Sequence, residues 1–281
     1  MIKMSNDLLM TINVNDTERR LFVSRYKENK SGALSPCDMS PDDVDYEMSQ
    51  GKDKRILEIC GMNQESFEYF VEKYGETYES LYFFKCQMIS DFSPLSRLKN
   101  LKAVRIYWNI RANGLWDMSE NTSLIHLAFS DCKKMTQNLS MLKTGKSLKT
   151  VSVIGSMFEK YPLKDLSVFS NMPSLEELYL GNIKLGDRST EFLKTLPKLT
   201  RFDFDAGMFT VDEIAYMCAR YPHISGNALC AYNKIDAVLS NVRVCGYRKP
   251  GLNLPKDQKR LERYIAEFEA LVEKYRTEEL G

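Results

Sequence analysis

Leu175-Glu176-Glu177-Leu178-Tyr179-Leu180-Gly181-Asn182 sets leucines at intervals of three and then two ahead of a small, polar turn. In an extended segment successive side chains point to opposite faces, so Leu178 and Leu180 face one way and Glu177 and Tyr179 the other. The same spacing recurs along the chain: Leu98, Leu101, Val104, Ile106 and Asn109; Leu124, Leu127, Phe129 and Cys132; Leu148, Val151 and Val153; Leu199, Phe202 and Phe204. Equivalent sites fall at residues 81, 104, 127, 151, 178 and 202, in steps of 23, 23, 24, 27 and 24. Periods of ~20–29 residues with this pattern mark stacked strand-and-turn units. So short a unit cannot bury its own apolar face, and neighbours must stack into a solenoid.

Outside the repeats the pattern changes. Leu9 to Val14 and Arg20 to Tyr26 alternate apolar and polar residues, which predicts two strands joined through Asn15-Asp16-Thr17. Residues 28–53 are rich in Ser, Pro, Gly and Asp, with the acidic run Ser40-Pro41-Asp42-Asp43-Val44-Asp45-Tyr46-Glu47, and are expected to form a long loop. Phe67, Phe70, Val71 and Tyr74 predict a helix over 64–74, and Thr210-Val211-Asp212-Glu213 has the form of a capping box that starts another. Met172-Pro173, Leu196-Pro197 and Tyr221-Pro222 each stop a convex segment just before the next strand. Ile224 through Tyr232 fit the repeat loosely, and Leu239, Val242 and Val244 are expected to form its last strand. Residues 256–277 present Leu261, Tyr264, Ile265, Phe268, Leu271, Val272 and Tyr275 on one helical face, expected to cap the solenoid rather than to stand free as a docking arm. The expected organisation is an N-terminal cap of two strands and an acidic loop (1–53), a solenoid (54–247) and a C-terminal capping helix (248–281).

Over about residues 54–232 the strand motifs resemble the leucine-rich repeat superfamily, and within it the irregular cytoplasmic proteins of bacteria. The chain is expected to differ from secreted internalin-like members in lacking their strict repeat length, secretory leader and wall anchor. The resemblance implies an α/β solenoid with a curved parallel sheet on its concave side, helices and turns on its convex side, and protein recognition as the usual role. At the inward asparagine position this chain holds Asn109 once and cysteine at Cys86 and Cys132, where the superfamily accepts a buried hydrogen-bonding thiol.

The 39 basic and 38 acidic residues nearly cancel, which argues against a nucleic-acid or anionic-membrane partner. No apolar run is long enough for a membrane span. Seven scattered cysteines do not make a disulfide framework, and a reducing cytoplasm is the expected compartment.

Little in the sequence suggests catalysis. The chain has two histidines, His126 beside a concave strand and His223 in a turn, and no closely spaced set of metal ligands or cofactor motif. Cys60, Cys230 and Cys245 are expected in one concave column but in separated repeats. Gly145-Lys146-Ser147 lacks the earlier glycine and the following helix of a phosphate-binding loop. The outward positions are more telling. They give Tyr82, Phe84, Arg105, Tyr107 and Trp108 as an aromatic and cationic anchor, with Tyr179, Arg201, Asp203 and Asp205 as a charged second zone. We therefore expect a non-enzymatic scaffold, monomeric, that grips an unidentified protein partner by its concave face, as an immunity protein, inhibitor or adaptor would. The alternatives are an enzyme with a site in 28–53 or near His126, and a self-associating structural protein. The aromatic patch could also be covered by the N-terminal segment rather than by a partner.

Overall fold

The computed structural model describes residues 20–278, apart from 25, 29, 31, 33, 37, 38 and 51–54. The expected strand Leu9–Val14 lies outside the described residues. The chain is a leucine-rich repeat solenoid built on an eight-stranded parallel sheet. In spatial order its strands are β1 (Arg20–Ser24), β4 (Ile56–Cys60), β5 (Ser80–Phe84), β6 (Ala103–Tyr107), β7 (His126–Ser130), β8 (Thr150–Ile154), β10 (Glu177–Gly181) and β12 (Arg201–Phe204). Arg20–Ser24 thus pairs in parallel with β4 at the sheet edge. A small antiparallel pair, β2 (Tyr26–Glu28) with β3 (Leu34–Pro36), follows it.

The repeat spacing translates directly into register. Leu57, Leu81, Val104, Leu127, Val151, Leu178 and Phe202 lie side by side across seven strands, and so do Ile59, Phe83, Ile106, Phe129, Val153, Leu180 and Phe204. All of these face the core and are buried. Phe67 of α2 (Gln64–Lys73) packs edge-on against Phe83 and Phe92, and Phe209 packs against Phe202 and Phe204, so the convex segments close the core from behind. Both α2 and α4 (Val211–Arg220) begin with a side-chain capping box, the second at Thr210 and Glu213 as the sequence predicts.

Polar groups at the strand ends are satisfied from within. Asn109 donates to the carbonyls of Cys86 and Ile89, each at 2.8 Å, and accepts from the backbone of Arg111 at 3.1 Å and Ala112 at 2.8 Å. Cys132 accepts from the Asn109 amide at 3.4 Å, and its thiol also lies against the Ser130 carbonyl. On the convex side Asn121 links the Trp116 indole to the carbonyls of Leu95 and Leu98.

Three expectations change. The acidic stretch is not a loop: Pro41–Ser49 forms α1, opened by a capping box between Ser40 and Asp43 with proline in its first turn. Asp45 of this helix accepts from Tyr69, Lys73 and Tyr74 at 2.7–2.9 Å, which pins α1 to α2 on the convex side. The Lys73 ammonium, together with the two hydroxyls, holds the Asp45 carboxyl down to about 2. Second, Leu239–Val244 does not extend the parallel sheet. β14 (Ser240–Val244) lies antiparallel between β13 (Tyr232–Ala237) and β15 (Gly251–Leu252), and Leu239 is exposed at the hairpin tip. Beyond β12 the parallel sheet continues only as a bridge from Arg201 to Ser225. Asn227, where an apolar residue would continue the pattern, instead accepts from the Phe204 amide and donates its own amide to Asp203. Third, Cys230 and Cys245 leave the concave column: they flank the β13–β14 hairpin, their sulfurs 3.8 Å apart.

The C-terminal helix α5 (Gln258–Thr277) forms where the sequence places a helix, and it packs along α4. Leu261 and Val272 are buried, Tyr275 donates to Asp212 at 2.7 Å, and Arg220 donates to the Glu278 carbonyl at 2.7 Å. A second small core of Val242, Val244, Leu252 and Leu261 sits beneath it.

Replacing Asn109 by alanine strands two buried carbonyls, the buried Ala112 amide and the part-buried Arg111 amide, and should lower stability by about 2–4 kcal/mol in urea unfolding. Asp45 is ordinarily half-ionised near 3.8, so its contribution is complete above that pH and is lost as pH falls toward 2. An Asp45→Asn variant should therefore lose stability at neutral pH yet converge on the parent chain in acid titration.

Candidate functional site

The strand residues between the core positions point out of the sheet, and the register brings them into columns. One runs Glu58, Tyr82, Arg105, Ala128, Ser152, Tyr179, Asp203, and the next runs Cys60, Phe84, Tyr107, Ser130, Ile154, Gly181. At the N-terminal end these columns form a connected cluster. Phe84 and Tyr107 stack face to face with centroids 5.3 Å apart and planes 9° from parallel. Tyr82 meets Phe84 edge-on at 6.0 Å, and the Arg105 guanidinium lies 4.4 Å over the Tyr82 ring. Lys85 places its ammonium 5.1 Å from the Phe84 ring and 5.0 Å from that of Trp108. Four of the five expected anchor residues therefore stand together on the sheet, half-buried.

Trp108 is placed differently from expectation. It lies one residue beyond β6, not on the concave strand, in a left-handed conformation with φ of 56°. Lys85, Asp131 and Asn182 hold the same position after their own strands with φ of 50–55°, while Gly61 takes it after β4. The amides of Lys85, Trp108 and Asp131 still join the ladder, donating to the carbonyls of Tyr107, Ser130 and Ile154. The chain thus turns without breaking the sheet, and after β5, β6, β7 and β10 a side chain stands at its rim. After β8 the position is glycine: a Cβ on Gly155 would sit 2.2 Å from the Asn182 carbonyl oxygen.

Several surface residues were not singled out in the sequence. Lys85 bridges two anchor rings, Ile110 is exposed beside Trp108, and Met157 and Phe158 are 70% and 90% exposed on the loop after β8. A signal for the last pair exists. The longest repeat step, 27 residues, contains that loop: β9 (Tyr161–Leu163) starts ten residues after Val151, whereas its partner β11 (Ile183–Leu185) starts five after Leu178.

The charged second zone is largely consumed by its own contacts. Tyr179 is buried at 6% exposure, donates to Glu177 at 2.9 Å, and lies under the Arg201 guanidinium. Asp203 accepts from Arg201 at 3.0 Å and from the Asn227 amide at 2.7 Å, and Asp205 accepts from the Asn182 amide at 2.8 Å. Of the four, only Arg201 is well exposed. Between the zones lies a floor of small residues, Ala128, Ser130, Ser152 and Gly181.

The candidate chemical groups are not assembled into a site. Burial pushes the Cys86 and Cys132 thiols up to about 12, far from a reactive thiolate. His126 is half-buried, its Nδ1 has no hydrogen-bond partner among the described residues, and burial lowers its pKa against the opposing pull of Glu177. No cluster of three His, Cys, Asp or Glu suited to a metal ion occurs among the described residues. Gly145-Lys146-Ser147 follows a 3-10 turn, Ser140–Thr144, and leads into β8 rather than a helix.

Sheet, ladder and outward columns together define a leucine-rich repeat solenoid with an aromatic concave end. Among solved structures the chain is similar to an internalin from Listeria monocytogenes, with 21% sequence identity and a TM-score of 0.37 over 57% of this chain and 50% of that one. The match thus spans half the length of that internalin. No protein-family model matches the chain, and no curated protein sequence matches it. No helix among the described residues is long and apolar enough to cross a membrane.

A histidine kept neutral by burial must charge as the chain acidifies. The unfolded chain then takes up the proton more readily, so stability is full above pH 6.5 and falls as pH drops below it. A His126→Phe variant should show a flatter dependence across that window, measured as thermal midpoint against pH.

Proposed function

We propose that the chain is a non-enzymatic scaffold that binds another protein through the concave face of its solenoid. The observation that carries this reading is the Tyr82–Phe84–Tyr107 cluster, flanked by Arg105, Lys85 and the 37%-exposed Trp108. Flat aromatic rings with cations stacked on them supply large contact area with few side-chain rotamers to freeze, which is the composition of interface hot spots. Helix α1, one candidate for covering the patch, packs on the convex side instead. Arg201 is the group of the second zone best placed to meet a partner, with Tyr179 and Asp203 holding it in position, while Asp205 is engaged by the Asn182 amide.

On this reading the protein works as a monomer in a reducing cytoplasm, and the six described cysteines are unpaired in the structure. Immunity protein, inhibitor and adaptor are the roles that need only such a face. The neutral overall charge makes association depend on shape and aromatic contact more than on long-range steering.

Affinity capture with the intact chain, followed by titration of the recovered partner, tests the reading. A Trp108→Ala chain of matched thermal stability should bind about 30-fold or more weakly, equivalent to ~2 kcal/mol. Unchanged affinity for both Trp108→Ala and Tyr107→Ala would remove the concave cluster from the interface.

A further inference from the structure

Cys230 sits in the bend before β13 and Cys245 directly follows β14, so the two flank the mouth of an antiparallel hairpin. The Cys245 amide donates to the Ala231 carbonyl at 3.0 Å, which holds the two chain segments side by side. The sulfurs stand 3.8 Å apart, and a disulfide requires about 2.05 Å. Closure therefore asks for less than ~2 Å of movement, shared by two side chains outside regular structure. Asn233 touches both sulfurs, its Oδ1 3.5 Å from Cys230 and its Nδ2 3.5 Å from Cys245.

The two thiols differ in access. Cys245 is buried, whereas Cys230 is half-buried and lines an open cleft of about 660 Å³ between the hairpin and α5. Leu229, Ile265 and Phe268 form the apolar wall of this cleft, and Arg276 stands among its polar lining.

We propose that Cys230 and Cys245 form a reversible thiol–disulfide site that reacts with low-molecular-weight disulfides entering the cleft. Cys230, as thiolate, attacks one sulfur of the small disulfide; its S–S bond breaks, and the first thiolate leaves with the electron pair. Cys245 then gives up its proton and attacks Cys230, expelling the second thiolate. Two protein thiols are oxidised and one small disulfide is reduced to two thiols, which take up the protons of Cys230 and Cys245. The Cys245 thiol donating to Cys230 holds Cys230 below its ordinary pKa and Cys245 above, which matches attacker and resolver to their exposure. The product would tie together the two ends of the hairpin, beside the Asn233–Asn227 contact that joins it to the last repeat strand.

The test treats the full chain with oxidised glutathione, alkylates remaining thiols, and maps them by mass spectrometry. The expected product has lost two hydrogens and carries a Cys230–Cys245 cross-link that dithiothreitol removes. A Cys245→Ser chain should stop at a glutathione adduct on Cys230, and a Cys230→Ser chain should form neither product. Full alkylation of both cysteines after oxidation would overturn the proposal, as would a cross-link from Cys230 to Cys218 in place of Cys245.

Discussion

The in-register stacking of parallel strands is the constraint on which the rest depends. Seven strands hold Leu57, Leu81, Val104, Leu127, Val151, Leu178 and Phe202 at one level. Side chains alternate between faces, so a slip of one residue in any strand would turn its core residues outward and its surface residues inward. Burial of one face thus also positions the other. Phe84 meets Tyr107 because Leu81 meets Val104 and Phe83 meets Ile106. The outward columns need no scaffold of their own.

Such an assembly has two unlike ends, and the described residues at each are held by different means. At the start, β1 adds a parallel edge strand and α1 is tied to α2 through one carboxylate shared by Tyr69, Lys73 and Tyr74. At the finish, the ladder thins to a single bridge, Asn227 takes over its hydrogen bonds, and an antiparallel hairpin with a long helix covers the last core residues. The helix is amphipathic in its place: Leu261 and Val272 are buried while its other side carries charge.

The repeat was legible because period and alternation are both written in side-chain polarity. From them came the strands, the core columns and four of the five anchor residues on the concave face. The departures have local causes. Helix α1 carries its own start signal at Ser40, Pro41 and Asp43, but its acidic composition, set among Ser, Pro and Gly, resembles a loop. Val242 and Val244 fit a repeat strand because alternation is common to parallel and antiparallel sheets, and polarity alone does not distinguish them. The adjacency of Cys230 and Cys245 follows from that hairpin and was hidden with it. Nor does polarity show that Tyr179 and Asp203 spend their hydrogen bonds on near neighbours.

The left-handed residues at the strand ends have a consequence for how this surface can change. Lys85, Trp108, Asp131 and Asn182 occupy backbone geometry that glycine adopts freely and that other residues adopt at a cost of about 1 kcal/mol or more each. Their side chains are held at the rim against that preference, while the amides of Lys85, Trp108 and Asp131 still serve the ladder and that of Asn182 donates to the Asp205 carboxylate. The rim is thus a row of side chains, interrupted by Gly61 and Gly155, that is set apart from the core levels that encode the solenoid.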